Sequence, residues 1–102
     1  MSSNINQAIR IAYTTGKITL GTERTIDIVI KGKAKLVVIA QNSPLGLKEE
    51  IDRVTKLAEV PVLIFKGSSY DLGSACGKPF MVNALAVQKE GDSTILDLVG
   101  GS

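Results

Sequence analysis

The sequence contains no histidine, no tryptophan and a single cysteine, and only four of its residues are aromatic. The absence of histidine removes the most common general base and the most common metal ligand of proteins. One cysteine, Cys76, excludes both an internal disulfide framework and a zinc site built from several cysteines. No acid–base pair or activated nucleophile is recognisable, so we predict a protein that is not an enzyme and that needs no metal or other cofactor.

Long apolar segments are missing as well. No apolar run approaches the length of a membrane span, and the chain does not open with a charged segment followed by an apolar one, as a secretory signal does. Hydrophobic residues still make up 44% of the 102 residues, which is enough for a buried core. We expect a soluble cytoplasmic protein without a membrane partner, organised as a single domain over residues 1–102.

Charge is distributed unevenly, although the net charge is only +2. Residues 1–48 carry seven basic and two acidic side chains, a net charge of +5. Residues 49–102 carry five basic and eight acidic side chains, a net charge of −3. A basic face is typical of proteins that bind a polyanion such as nucleic acid. Scattered lysines also keep ordinary surfaces soluble, so charge alone leaves both interpretations open.

Helical and strand-like hydrophobic patterns alternate along the chain. We predict the order α-β-α-β-α-β-α-β-β, which is typical of a three-layer α/β/α sandwich around a mixed, mostly parallel sheet with one antiparallel edge strand. Residues 35–40 form a nearly continuous β-branched run, as expected for a strand buried on both faces. The predicted strands span residues 18–20, 35–40, 62–65, 82–87 and 94–99.

Capping residues and glycines define the predicted helices. The helices begin at Ser2 or Ser3, at a Thr22 cap, at Leu47, and at Ser68 or Ser69, and they end at Gly16, Gly32, Glu59 and Ala75. In the third helix, the residues predicted to face the core are Leu47, Ile51, Val54, Leu57 and Ala58. Asp52 and Lys56 are predicted to form an ion pair on its exposed side.

Three loops follow predicted strands and should meet at one end of the sheet, where open α/β proteins bind their ligands. These loops are residues 21–25, 41–44 and 67–70, and the turn at residues 77–80 can lie beside them. In the first loop a strand leads through Gly21 directly into a helix, whose free amides and positive dipole end attract phosphate. An ordinary βα turn has the same features, so this loop alone does not establish a phosphate site.

Residues 73–78 resemble a phosphate-binding P-loop but do not satisfy its pattern. One spacer residue is missing, and Pro79 stands where the motif needs a metal-binding serine or threonine. We interpret Gly73 and Gly77 as a close helix contact and a helix stop, and Cys76 as a small buried hydrophobic residue. Phe80 is either an aromatic at the border of the core or an exposed ring that stacks on an unpaired base.

Six segments, TLGT (19–22), KLVVIAQN (35–42), VPV (60–62), LG (72–73), GKPF (77–80) and GDSTIL (91–96), occur in an order and spacing that match a known family over residues 9–96. The chain resembles the archaeal and eukaryotic large-subunit ribosomal protein thirty-e, of the kink-turn RNA-binding superfamily. That resemblance implies an α/β/α sandwich that binds a kink-turn, a sharply bent internal loop, of ribosomal RNA. The absence of extensions favours an archaeal member.

The resemblance also implies a set of RNA-binding residues at the loops described above. Asn42 would donate to and accept from a base edge, and Phe80 would stack beneath an extruded base, because RNA is recognised through shape, backbone and unpaired bases. Val82 lies in the same loop as Phe80, which packs on splayed-out nucleotides. The full set is Gly21, Thr22, Arg24, Thr25, Asn42, Lys78, Phe80 and Val82.

Positions 23, 24 and 27 separate branches of this superfamily. Box C/D-type relatives carry Asn-Glu at the first two positions and a lysine at the third, whereas this chain carries Glu23, Arg24 and Asp27. This difference favours the ribosomal branch. Related ribosomal sequences commonly have a basic residue at position 23, so Glu23 either accepts a hydrogen bond from a guanine edge or supports the helix N-terminus.

The sequence therefore favours a structural protein of the large ribosomal subunit that binds a kink-turn of ribosomal RNA. Its expected partners are that RNA and neighbouring ribosomal proteins, and we expect a monomer when it is free. The alternatives are a superfamily relative that acts with a guide RNA or in selenocysteine insertion, a small phosphate-binding α/β enzyme, and a protein-interaction module that uses the acidic half.

Overall fold

The computed structural model describes residues 2–93 and residue 95, with side chains from residue 5 onward. Within these residues four helices alternate with four strands, as the periodicity predicts. The helices are α1 (Ser2–Thr15), α2 (Thr22–Ile30), α3 (Leu45–Ala58) and α4 (Ser69–Ala75). The strands are β1 (Lys17–Leu20), β2 (Leu36–Ala40), β3 (Val62–Phe65) and β4 (Ala84–Lys89). The fifth predicted strand, residues 94–99, lies outside the described residues except for Ile95.

The strands form one mixed sheet in the order β1-β4-β2-β3. β2 and β3 are parallel, and β4 is antiparallel to both β1 and β2, with Leu85 opposite Leu20 on one side and Val38 on the other. The α/β sheet is mixed, as predicted, but two of its three pairings are antiparallel. The expectation of a mostly parallel sheet whose antiparallel strand lies at an edge is therefore wrong, because the reversed strand lies inside the sheet.

The connection between β3 and β4 explains the reversal. A crossover between parallel strands needs an element that spans the length of the sheet, whereas α4 has only seven residues and is about 10 Å long. The segment after α4 turns back, and the amide of Ala40 donates to the carbonyl of Asn83 at 2.9 Å. β4 therefore starts at the end of the sheet where β2 and β3 finish.

Two apolar clusters cover the two faces of the sheet, which confirms the three-layer sandwich. α1 and α4 pack on one face, against a cluster that includes Leu36, Val38 and Leu85. α2 and α3 pack on the other face, against Val37 and Ile39. Every residue of β2 is buried, as its β-branched run predicts.

The inward face of α3 is narrower than predicted. Leu57 and Ala58 are exposed, Leu57 at 77%, and they line a shallow groove between α2 and α3 with Ile30. Thr55 is buried in their place, because its hydroxyl donates to the Ile51 carbonyl at 2.7 Å and so needs no water. The confirmed features of α3 are the burial of Ile51 and Val54, the partial burial of Leu47, and the Asp52–Lys56 ion pair at 3.0 Å.

Candidate nucleic-acid interface

The carboxyl ends of β1, β2 and β3 lie side by side at one end of the sheet, with the first residue of β4. The amide of Gly21 donates to the Ala84 carbonyl at 3.0 Å, and the amide of Gln41 donates to the Phe65 carbonyl at 3.0 Å. These bonds bring together the three loops that the sequence predicts to meet. We call this end of the sheet the carboxyl end, as distinct from the C-terminus of the chain. It comprises residues 20–25, 40–44, 65–70 and 77–84.

The first turn of α2 starts at Gly21 rather than at the predicted Thr22 cap. Gly21 has φ 106°, which favours glycine, and no side chain caps the helix. A Cβ built on Gly21 would meet no heavy atom within 4 Å. A ligand can therefore approach the backbone closely at the point where the first amides of α2 and its positive dipole end are available to a phosphate.

The side chains on this turn differ in their exposure. Glu23 and Arg24 are exposed and Thr22 is half-buried, so these three lie where a ligand at the α2 N-terminus would meet them. Thr25 is fully buried, and its hydroxyl is the one buried side-chain polar atom without a hydrogen-bond partner among the described residues. The Thr25 side chain therefore lies beneath the surface of the turn, and its place in the segment that meets RNA stays a prediction.

Asn42, at the end of β2, is exposed and has a fixed orientation. Its Oδ1 accepts a hydrogen bond from the backbone amide of Ser69 at 2.8 Å. Because a backbone N–H can pair only with the amide oxygen, the Nδ2 group must point away from Ser69. Asn42 thus presents mainly a donor, whereas the sequence led us to expect both a donor and an acceptor.

The loop of residues 77–82 packs against the N-terminal half of α4. The amide of Val82 donates to the Ser69 carbonyl at 2.9 Å, and the Phe80 carbonyl lies so close to Gly73 that a Cβ there would overlap it. Val82 is buried, so its side chain anchors the loop, and the packing of this loop on RNA stays a prediction. Phe80 is 51% exposed, which decides between its two interpretations in favour of a ring on the surface.

Lys78 leans toward α1 rather than toward the first turn of α2. Its ammonium nitrogen lies 4.9 Å from the centre of the Tyr13 ring, within the range of a cation–π contact. The eight predicted residues differ in depth. Six are at least partly accessible, and Thr25 and Val82 lie beneath them.

Three further residues at or beside the carboxyl end were not among the predicted site residues. Met81 and Tyr70 are exposed at 69% and 58% beside Phe80 and the α4 N-terminus. Lys48 donates from its ammonium group to the Gln41 carbonyl, which places a cation beside the loop that carries Asn42. The position of Tyr70 within the predicted loop 67–70 was a usable signal, whereas the placement of Lys48 depends on how α3 packs.

Residues 73–78 confirm the structural interpretation of the P-loop-like segment. Gly73 is a close contact, and Gly77, at φ 79°, follows the end of α4. Cys76 is buried in the core, and this burial raises the pKa of its thiol to about 11, although Lys78 and Arg10 oppose the shift. Asp71 closes a capping box with Ser68 at the start of α4.

No helix formed by residues 2–93 and 95 combines the length and the apolar character that crossing a membrane requires. No group of three or more carboxylate, thiol or imidazole side chains within the same ranges is arranged to hold a metal ion.

Comparison with known proteins agrees with this architecture. Residues 3–97 match the model of the ribosomal protein L7Ae/L30e/S12e/Gadd45 family. The chain belongs to this family. A large ribosomal subunit protein eL30 from Methanothermobacter thermautotrophicus is 53% identical over 97 residues, which cover 95% of this chain and 99% of that protein.

Other members of the family are similar over nearly their whole length. The eL30 protein of Methanocaldococcus jannaschii is 49% identical over 94% of this chain and 87% of its own, and that of Sulfolobus acidocaldarius is 36% identical over 97% and 95%. A solved structure of a protein of unknown function from Bacillus halodurans C has a TM-score of 0.75 and 19% identity, and it covers 82% of this chain and 83% of its own. That likeness concerns the family fold alone.

Proposed function

We propose that this protein is a structural component of the large ribosomal subunit and that it binds a kink-turn of ribosomal RNA at the carboxyl end. Membership of the L7Ae/L30e/S12e/Gadd45 family and the names of the three eL30 relatives support the ribosomal assignment. One observation carries the choice of surface: the exposed Phe80 ring, the outward amide of Asn42 and the uncapped first turn of α2 lie at the same end of the sheet.

The first turn of α2 suits the backbone of a bent RNA. A kink brings phosphates close together, and the free amides of the first turn, such as that of Thr22, can donate to one of them. Arg24 is exposed on the same turn and can form a charge-assisted bond with a neighbouring phosphate. Since few cations lie at this end, we expect binding to depend only moderately on salt.

The loops that follow β2 and α4 suit unpaired bases. The Nδ2 group of Asn42 can donate to an acceptor on a base edge, since its oxygen is already bound to Ser69. Phe80 offers a ring face on which an extruded base can stack, a contact worth about 1–3 kcal/mol in comparable proteins. Thr25 and Val82 lie buried beneath these elements. Lys78 adds positive charge within the loop of residues 77–82.

The residues at positions 23, 24 and 27 favour the ribosomal role over another ribonucleoprotein. Asp27 forms an ion pair with Lys31 at 2.9 Å on the exposed side of α2, so position 27 supplies an acidic group where box C/D-type relatives have a lysine. We expect a monomer when the protein is free, located on cytoplasmic ribosomes beside other ribosomal proteins. No cofactor and no enzymatic activity are needed for this role.

A titration with two RNAs tests the proposal. The purified protein is titrated with a short kink-turn RNA and with a straight duplex of equal length, at about 50 mM and about 200 mM salt. We expect much tighter binding to the bent RNA at both salt concentrations. Equal and steeply salt-dependent binding to the two RNAs would contradict the proposal, because it would reduce the protein to a general polyanion binder.

A further inference from the structure

A second pair of cations lies on the α1 side of the loop of residues 77–82. Arg10, an exposed residue of α1, places its guanidinium group against the backbone of Gly77, and a Cβ built on this glycine would lie 3.1 Å from Arg10 Cζ. Lys78 follows immediately, and its ammonium group rests on the ring of Tyr13, one turn from Arg10 on the same helix. The fold therefore brings both cations to the contact between α1 and residues 77–78.

This arrangement leaves two like charges next to each other. Among the described residues, neither Arg10 nor Lys78 takes part in an ion pair, whereas four other basic residues do. Burial raises the pKa of the Cys76 thiol to about 11, and both cations lie close enough to oppose that rise. Two nearby cations repel each other, and a bound anion would relieve that repulsion.

The pair is also connected to the carboxyl end. The loop that begins with Gly77 and Lys78 continues through Phe80 to Val82, whose amide is bonded to Ser69 beside Asn42. An RNA strand that stacks a base on Phe80 would carry its backbone past one flank of this loop. The guanidinium fork of Arg10 can hold two oxygens of one phosphate, and Lys78 can act on the same group as a point charge.

We propose that Arg10 and Lys78 together bind one phosphate of the RNA, so that α1 forms part of the interface. This inference rests on the proposed function. Such a contact fixes the position of the RNA and carries no sequence information, because it involves the backbone alone. The sequence analysis did not include Arg10, since nothing in the first helix indicates that its guanidinium group reaches Gly77.

The test compares Arg10→Gln with Arg53→Gln. Arg53 is an exposed arginine of α3, on the other face of the sheet, with only a loose ion pair to Glu50 at 3.8 Å. Each variant is titrated with the kink-turn RNA at about 50 mM and about 200 mM salt. Losing one phosphate contact should make the slope of log affinity against log salt shallower by about 0.9. Between the two salt concentrations, the affinity of Arg10→Gln should therefore fall by a factor about 3.5 times smaller than the factor for the wild type. Arg53→Gln should match the wild type.

Three further results complete the test. Arg10→Lys should retain the wild-type salt slope with weaker binding, because the charge remains while the fork is lost. If one phosphate is shared, adding Lys78→Gln to Arg10→Gln should weaken binding by less than the product of the two single effects. Thermal unfolding of Arg10→Gln should match that of the wild type, which separates a contact from a folding defect.

The outcomes separate this inference from the proposed function. If the wild type prefers the bent RNA but Arg10→Gln has the same affinity and salt slope as Arg53→Gln, the phosphate site is overturned and the proposed function stands. If the wild type does not distinguish bent from straight RNA, the proposed function itself fails, and this inference fails with it.

Discussion

The two ends of the sheet contain the same small residue for opposite reasons. At the carboxyl end, Gly21 has a positive φ and no neighbour within 4 Å of the place where a Cβ would be. At the other end, where β1 begins and β4 finishes, a Cβ on Gly16 would overlap the carbonyl oxygen of Lys89. Gly21 keeps the backbone accessible, and Gly16 allows two segments to pack closely. We call the region around Gly16, residues 15–17 and 89–92, the packed end.

Polar groups show the same contrast. At the packed end, the hydroxyl of Thr15 donates to the Ile11 carbonyl at 2.6 Å and accepts from the Asp92 amide at 2.9 Å. At the carboxyl end, the Nδ2 group of Asn42 points away from the Ser69 amide that binds its oxygen, and the first turn of α2 has no side-chain cap. At the packed end, these polar groups bind other groups of the protein. At the carboxyl end, donors remain that a ligand could use.

The largest expected effect is on the packed end. Gly16→Ala forces a methyl group into the backbone of Lys89, so we expect the free energy of unfolding to fall by about 3 kcal/mol. Chemical denaturation measures this loss, and at a temperature where the variant is folded its affinity for kink-turn RNA should equal that of the wild type. Unchanged stability would show that the two segments are not packed as closely as described.

Phe80→Ala should have the opposite profile. Because the ring is half exposed and lies in a loop, we expect stability to change little, whereas RNA affinity should fall by about 1–3 kcal/mol. Phe80→Leu keeps apolar volume without a ring face and should recover little affinity, and Leu57→Ala, an exposed apolar residue on α3, is the matched control. Full recovery by leucine would mean that apolar contact, not stacking, holds the base.

A smaller effect is expected for Asn42→Asp. The aspartate can still accept from the Ser69 amide, so the fold should hold, but the donor is replaced by a negative acceptor. We expect a loss of RNA affinity of about 1–2 kcal/mol, within the range for an unmet polar group, and it is measured by titration beside thermal unfolding. Wild-type affinity in this variant would remove Asn42 from the interface.

The smallest effect at neutral pH concerns the interior beneath the carboxyl end. The pKa of the Cys76 thiol is raised in the folded state, so the folded protein binds this proton more tightly than the unfolded chain. The resulting stability is fully present below about pH 9 and is lost as pH rises toward about 11. Denaturation at several pH values should show this decline in the wild type and not in Cys76→Ala, and equal pH profiles would contradict the assignment.

Several features of this fold could be predicted because they depend on local sequence. The β-branched run that became β2, the capping box of α4 and the stop at Gly77 follow from neighbouring residues alone. The interior position of β4 could not be predicted, since it depends on α4 being too short to cross the sheet. The exposure of Leu57 likewise depends on how α2 and α3 pack, since Leu57 lines the groove between them.

The candidate site likewise has features that could be predicted from the sequence and features that could not. The meeting of the three loops follows from strand direction, and it was predicted. The burial of Thr25 and Val82, the orientation of the Asn42 amide and the proximity of Arg10 to Gly77 depend on how distant segments pack, so no local pattern indicates them. The glycines illustrate this point most directly, because the sequence cannot distinguish the accessible Gly21 from the crowded Gly16.

The most direct test of the central claim is an NMR titration of isotope-labelled protein with kink-turn RNA, which records all amide groups at once. The account predicts that the largest shifts occur at Gly21, Thr22 and Phe80 and at the side-chain amide of Asn42, while Gly16, Gly91 and Asp92 at the packed end remain unchanged. Shifts concentrated at the packed end, or on the outer face of α3, with none at the carboxyl end, would contradict it.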